Sequence, residues 1–241
     1  MKLNIFNNEK QVLAALAAHF VKIAQESISA RGKFSVALSG GSSPKALYEL
    51  LASAFKDKVE WDKVYFFFGD ERNVPQTDKD SNYLMAKKAL FEPLEIDHSN
   101  IFPVETELGP EEAAKKYEEE IEEFFEDDEL SFDLILLGLG DNSHTASLFP
   151  YTPVLHDRTP GVKDVFLQDQ QVYRITMNAP LINEARHIAF LVYGEAKAIA
   201  VHHVLEDDED IENHPAQLIE PITGEIQWFL DSDAASLLKE Q

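Results

Sequence analysis

A chain of 241 residues with 44% hydrophobic content is long enough to bury a sizeable core and fits one α/β domain over residues 1–241. It has no cysteine, which excludes a disulfide framework, a thiol nucleophile and a thiolate zinc site. Its 44 acidic against 21 basic residues give a formal charge of -23, a field that repels nucleic acid and anionic membrane at long range. An anionic small molecule stays compatible if local cations and backbone N–H groups hold it.

The opening MKLNIFNNEK carries no long apolar segment, and no later stretch approaches membrane-spanning length. A cytoplasmic location is therefore expected. Val12, Leu13, Leu16, Phe20 and Ile23 recur at helical spacing and predict an amphipathic helix over residues 10–30, ended by Arg31 and Gly32. A short apolar strand follows at Phe34–Leu38. Next come Ser39-Gly40-Gly41-Ser42-Ser43-Pro44 and a second helical pattern through Leu47 and Leu51, with Pro44 expected at the first helical position.

Strand, Gly-Ser loop and helix start form an arrangement that suits an anion, because the unpaired N–H groups of the first turn and the helix dipole point at the loop. The alternative is a structural loop with a capping serine. Neither G-x-x-x-x-G-K-[ST] nor G-x-G-x-x-G occurs there, so this is no nucleotide P-loop or dinucleotide fingerprint.

The strand Val64–Phe68 runs directly into Gly69-Asp70-Glu71-Arg72, which reads as a charged loop at the ligand edge of a sheet. Arg72 can clamp a phosphate in bidentate fashion and Asp70 can orient a hydroxyl or water; the alternative is a local salt bridge. A helix is predicted over 83–92, ended by Pro93, and a longer acidic-faced one from Pro110 to about Asp127.

Leu134–Leu137 is an uninterrupted apolar run, as expected of a strand covered on both faces. Gly138 and Gly140 allow a tight turn, and Asp141, Asn142, Ser143, His144, Thr145 and Ser147 then crowd seven positions at its carboxyl end. His144 is the one side chain there suited to proton transfer near neutral pH. Its alternative duty is to cap a helix or satisfy nearby carbonyls.

A Pro-rich connector over 150–160 precedes strands at Val172–Met177 and 187–193. Lys197 falls at another strand-to-helix junction. His202 and His203, adjacent on the following helix, point in different directions and make no two-ligand metal face. The acidic run 206–212 reads as a solvated face without metal-ligand spacing. A strand at 226–230 and a short helix at 234–238 close the chain.

Four separated segments, SGGSSP (39–44), FFFGDERNVP (66–75), LGLGDNSHTASLFP (137–150) and FLVYGEAKA (190–198), with PAQLIEP (215–221) as a weaker fifth, together resemble the 6-phosphogluconolactonase branch of the glucosamine-6-phosphate isomerase/6-phosphogluconolactonase family. HTASLFP after the histidine resembles the lactonases rather than the deaminases, which there run toward Asn-Glu-Pro. The resemblance implies a modified Rossmann-like α/β fold, a mostly parallel sheet with helices on both faces. It implies hydrolysis of the small-molecule sugar-phosphate lactone 6-phospho-D-glucono-1,5-lactone, with no metal and no organic cofactor; it fixes no oligomeric state.

Carried onto this chain, the resemblance makes His144 the general base. Gly40, Gly41, Ser42, Arg72 and Lys197 would hold phosphate, Asp70 would lie beside the sugar, and Arg174 would neighbour the substrate. The chain departs from the family at one place, where Asp-Gly-His becomes Asn142-Ser143-His144. Asn142 can hold a histidine tautomer but offers no negative charge, and Asp141 is the alternative partner. An aminosugar-phosphate isomerase or deaminase, or a catalytically weakened sugar-phosphate sensor, are the competing readings.

Overall fold

Strands that are apolar on both faces must be covered on both faces, and that requirement organises the molecule. The computed structural model describes residues 1–126 and 128–239. Its main sheet has six strands in the order β1-β9-β8-β5-β2-β3, every neighbouring pair parallel. These are β1 (Lys2–Phe6), β2 (Phe34–Leu38), β3 (Val64–Phe68), β5 (Leu134–Leu137), β8 (His187–Val192) and β9 (Glu225–Asp231).

The period of two along each strand divides the core in two. Val36, Leu38, Phe66, Phe68, Leu134 and Leu136 pack with Val12, Leu16 and Phe20 of helix α1 (Glu9–Arg31) and Leu47 and Leu51 of α2 (Ser42–Ala54). Ala37, Phe67, Ile135, Leu137, Phe190 and Trp228 face the other way, toward Tyr117 and Ile121. Helix α1 is fixed at both ends: the Asn8 side chain accepts from the N–H of Gln11, and Gly32 takes the left-handed conformation at φ 76°.

Gly69 carries the chain out of β3 into β4 (Asp70–Arg72), the edge of a second, antiparallel sheet of order β4-β7-β6, with β6 at Val162–Leu167 and β7 at Val172–Met177. The charged segment is thus a strand rather than a loop, because its backbone finds the register Arg72 opposite Arg174.

Helices α3 (Asn82–Ala86) and α4 (Glu92–Leu94) flank a π turn, Lys87–Phe91, and α5 (Pro110–Phe124), α6 (Ala179–Asn183) and α7 (Ala198–Glu206) follow. The predicted stop at Pro93 is corrected: the N–H of Glu92 bonds to Lys87, the helix restarts there, and Pro93 sits in the new first turn, where its missing N–H costs nothing. Pro44 is likewise third in α2 rather than first, with Gly41 as the cap. Residues 234–238 form hydrogen-bonded turns instead of the expected helix. The expected end of α5 at Asp127 lies outside the described residues, and the helix itself closes at Phe124.

At the amino ends of the strands, opposite the loops discussed below, Asp133 is 3% exposed. It accepts from the backbone N–H of Ser35 at 2.9 Å and its hydroxyl at 3.3 Å, and it pairs with Arg31 and, at 3.8 Å, with Arg186. One carboxylate so ties α1, β2, β5 and the start of β8. Removing it takes the buried carboxylate from two arginines, which keep Ser27 and Glu129 as partners, and leaves the Ser35 N–H without its side-chain acceptor. Asp133→Ala is expected to lower unfolding free energy by roughly 2–4 kcal/mol, measured by urea denaturation. The folded sheet should persist by circular dichroism.

Candidate active site

The chain leaves β2 toward β3 on one side and later returns to place β5 on the other. The carboxyl edge of β2 and β5 is therefore a switch point where a crevice opens. A cavity of about 410 Å³ lies there, lined by Gly40, Gly41, Ser42, Asp70, Arg72, Gly140, His144, Arg174 and Lys197 among others. Every site residue singled out from the sequence reaches it except Asp141, Asn142 and Ser143, which stand behind His144 and Lys197.

The turn after β5 positions the imidazole. The N–H of Gly140 bonds to the carbonyl of His144 at 2.8 Å, and the N–H of Ser143 bonds to that of Gly140 at 2.9 Å. Ser143 takes the left-handed conformation at φ 60°. The chain folds back so far that a Cβ on Gly140 would fall 2.0 Å from His144 Nδ1. The ring lies against Phe149, centroids 4.1 Å apart and planes 19° from parallel. Burial lowers the His144 pKa to about 4, the carboxylate of Asp70 opposing that shift and Lys197 adding to it.

His144 Nδ1 lies 2.5 Å from the amide oxygen of Asn142. Asp141 turns elsewhere, accepting from Lys197 Nζ at 2.6 Å. A neutral ring that donates from Nδ1 to Asn142 carries its lone pair on Nε2.

The opposite wall is cationic. Arg72 donates to the carbonyl of Asp80 at 2.8 Å, which sets its guanidinium, while Arg174 is its cross-strand partner. Desolvation first, and Arg72 second, push the Arg174 pKa down. Asp70 is held from two sides, accepting from the Ser147 hydroxyl at 2.6 Å and, through its carbonyl, from Asn82 Nδ2 at 2.9 Å. Gly40 admits the Asn82 side chain, which a Cβ would meet at 1.9 Å.

Sequence reasoning missed Glu71, buried under this wall. Its carboxylate accepts the N–H groups of Arg72, Asn82 and Tyr83 at 2.7–2.8 Å and the Ser81 hydroxyl at 3.1 Å, clamping β4 to α3. Burial pushes its pKa up against those donors. The aromatic floor, Phe149, was also missed, although an aromatic five residues after a candidate histidine was a usable signal.

Residues 7–228 match the family of glucosamine-6-phosphate isomerases/6-phosphogluconolactonase, and the chain belongs to that family of enzymes. Among its relatives is the 6-phosphogluconolactonase of Synechocystis sp., 39% identical over 240 residues that cover 98% of this chain and 97% of the other. That of Nostoc sp. is 41% identical over 219 residues, covering 88% and 87%. In structure the chain is similar to 6-phosphogluconolactonase from Trypanosoma cruzi, with a TM-score of 0.85 at 27% identity over 99% and 97% of the two chains. A monomeric glucosamine-6-phosphate deaminase shares the fold, with a TM-score of 0.81 at 20% identity. Among the described residues no helix is long and apolar enough to cross a membrane.

The Gly140 contact yields a test of the electrostatics. Gly140→Ala should drive the imidazole off its buried seat toward water, so the His144 pKa should rise from about 4 toward the ordinary histidine value of 6.5. Titration by ¹H–¹⁵N NMR of the ring nitrogens measures it.

Proposed function

We propose that this cavity hydrolyses 6-phospho-D-glucono-1,5-lactone to 6-phosphogluconate, a step of the oxidative pentose phosphate pathway. The observation that carries the reading is the pairing of one oriented, neutral imidazole with a cationic wall across a cavity of about 410 Å³. On a chain of net charge -23, cations gathered at one crevice fit an anionic ligand. The names of the relatives supply the substrate, and the lactone's chemistry fits the groups present.

A lactone is an activated ester, so no covalent nucleophile is needed; G-x-S-x-G is absent from the sequence. His144 Nε2 takes a proton from water as its oxygen attacks the lactone carbonyl carbon. The C–O bond to the ring oxygen then breaks, and the imidazolium returns the proton to that oxygen. Water is thus divided between the new carboxyl group and the new hydroxyl. Arg72, Arg174 and Lys197, with the Gly40-Gly41-Ser42 start of α2, hold the phosphate and fix the carbonyl near the base. Lys197 does so while shared with Asp141, and Asp70, braced by Ser147, faces the sugar.

The lowered pKa has two consequences. At neutral pH the imidazole is almost wholly unprotonated and ready to act, but it is a weak base. Asn142 orients it without stabilising the imidazolium; Asp70 is the carboxylate that acts on it most strongly, with Asp141 adding to it.

His144→Ala should reduce lactone hydrolysis by about two to four orders of magnitude while leaving 6-phosphogluconate affinity nearly intact. A coupled assay corrected for spontaneous hydrolysis, with calorimetry on the product, measures both. Parental rates in the variant, or ammonia release from glucosamine 6-phosphate by the parent, would refute the assignment. Product binding without acceleration by the parent would identify a sensor.

Asn142→Asp tests the departure from the family. A carboxylate beside Nδ1 favours the protonated ring, so the His144 pKa should rise and the acid limb of kcat/KM should move up in pH. Above that limb the stronger base should work faster; below it, more of the enzyme starts protonated and idle. Profiles of kcat/KM against pH for parent and variant decide it, an unmoved limb contradicting Asn142 as the orienting group.

A further inference from the structure

Behind the catalytic turn lies a second cavity of about 1100 Å³, lined by Asn142, Ser143, His203 and His214 among others. None of the chemistry above uses those histidines. His203 comes from α7 and Asp207 follows that helix. His214 comes from a separate segment, capping the 3₁₀ helix Pro215–Leu218. Folding brings a ligating atom of each to within 4.8 Å of the other two. We propose that His203, Asp207 and His214 form a binding site for a transition-metal dication of the Zn²⁺ type, separate from the reacting groups.

The donor set selects the ion. Two imidazoles and one carboxylate suit Zn²⁺, Co²⁺, Ni²⁺ or Cu²⁺, whereas Ca²⁺ and Mg²⁺ require oxygen ligands. Tetrahedral bonds of about 2.0–2.2 Å put neighbouring ligand atoms roughly 3.3 Å apart. His203 Nδ1 and Asp207 Oδ2 are 2.5 Å apart, a hydrogen-bond spacing that the ion would widen by taking the place of the ring proton. The ring of His214 lies beside that of His203, centroids 4.5 Å apart and 19° from parallel, so both rings must turn slightly to converge.

The outer contacts are those that metal-ligating groups require. His214 Nδ1 lies 3.2 Å from the Ser143 hydroxyl, which orients the ring and leaves Nε2 for the ion. The second oxygen of Asp207 is 3.4 Å from His202 Nε2. Gln217 bridges the two segments, donating to the carbonyl of His203 at 3.0 Å and accepting from the N–H of Asp210 at 2.7 Å. The acidic run 206–212, of which Asp207 is a member, adds negative charge that concentrates cations.

Ser143 makes the site more than a surface chelate. It is 1% exposed, sits between Asn142 and His144, and its carbonyl accepts from the N–H of Ala216 at 3.0 Å. The metal ligand His214 and the catalytic turn therefore share one serine, and occupancy at one is linked to geometry at the other.

Calorimetry of the full chain, stripped with a chelator and titrated with Zn²⁺ alone, tests the proposal. The parent should show a site that His203→Ala and Asp207→Asn each weaken by at least about tenfold, with His144→Ala retaining it. Melting curves confirm that the variants are folded. Ser143→Gly removes the hydroxymethyl side chain at a left-handed position that glycine adopts without strain, and should weaken Zn²⁺ about tenfold. No Zn²⁺ uptake by the parent, or equal affinity in parent and His203→Ala, overturns the site; unchanged affinity in Ser143→Gly overturns its link to the catalytic turn.

Discussion

The imidazole of His144 occupies the volume that a side chain on Gly140 would fill, and much of the site's behaviour descends from that steric exchange. A turn that returns its own fifth residue onto its first has to give up one side chain, and glycine is the residue that can. The reward is a ring set against Phe149 and away from bulk water. Burial then removes the charge the ring would carry at mildly acidic pH. An imidazole left without a proton at neutral pH and an imidazole made less basic by desolvation are one fact viewed from two sides.

The cationic wall faces a related constraint. Pairing β4 with β7 sets Arg72 directly across from Arg174, an arrangement that like charges resist. Backbone hydrogen bonding in the small sheet and the clamp of Glu71 on β4 and α3 hold it in place. Repulsion stored between the two guanidinium groups is relieved by an anion between or beside them. On the function proposed above, a phosphate held there stabilises the native state in the manner of any ligand that favours it.

Stability and chemistry are placed at opposite edges of the main sheet. Asp133 gathers Ser35, Arg31 and Arg186 where the strands begin, and the loops that form the cavity leave where they end. Parallel strands make this division natural, since every connection must return over a face of the sheet and all carboxyl ends emerge together. The turn after β5 can hold a left-handed serine and a desolvated imidazole because the buried strand beneath it supplies the rigidity.

The amino-acid sequence by itself determined the interior strands and the identity of the crevice residues. Runs such as Phe34–Leu38 and Leu134–Leu137 are apolar on both faces, which only a covered sheet satisfies, and the glycines and polar groups that follow them mark the ligand edge. It missed β1, whose exposed and half-buried residues weaken the apolar signal, and β6, which follows a Pro-rich connector. It misjudged Pro93, because a π turn is a tertiary adjustment with no local signature. Three matters were decided by the tertiary structure alone. Asp141 was committed to Lys197 and Asn142 to the imidazole, two neighbours indistinguishable by spacing. Asp70, Glu71 and Arg72 became a strand whose alternating side chains divide between the cavity and the interior. His203 met His214 across a gap in the chain that no helical periodicity spans. In each case side-chain direction depends on which backbone groups are already paired, and that pairing is made between segments distant in sequence.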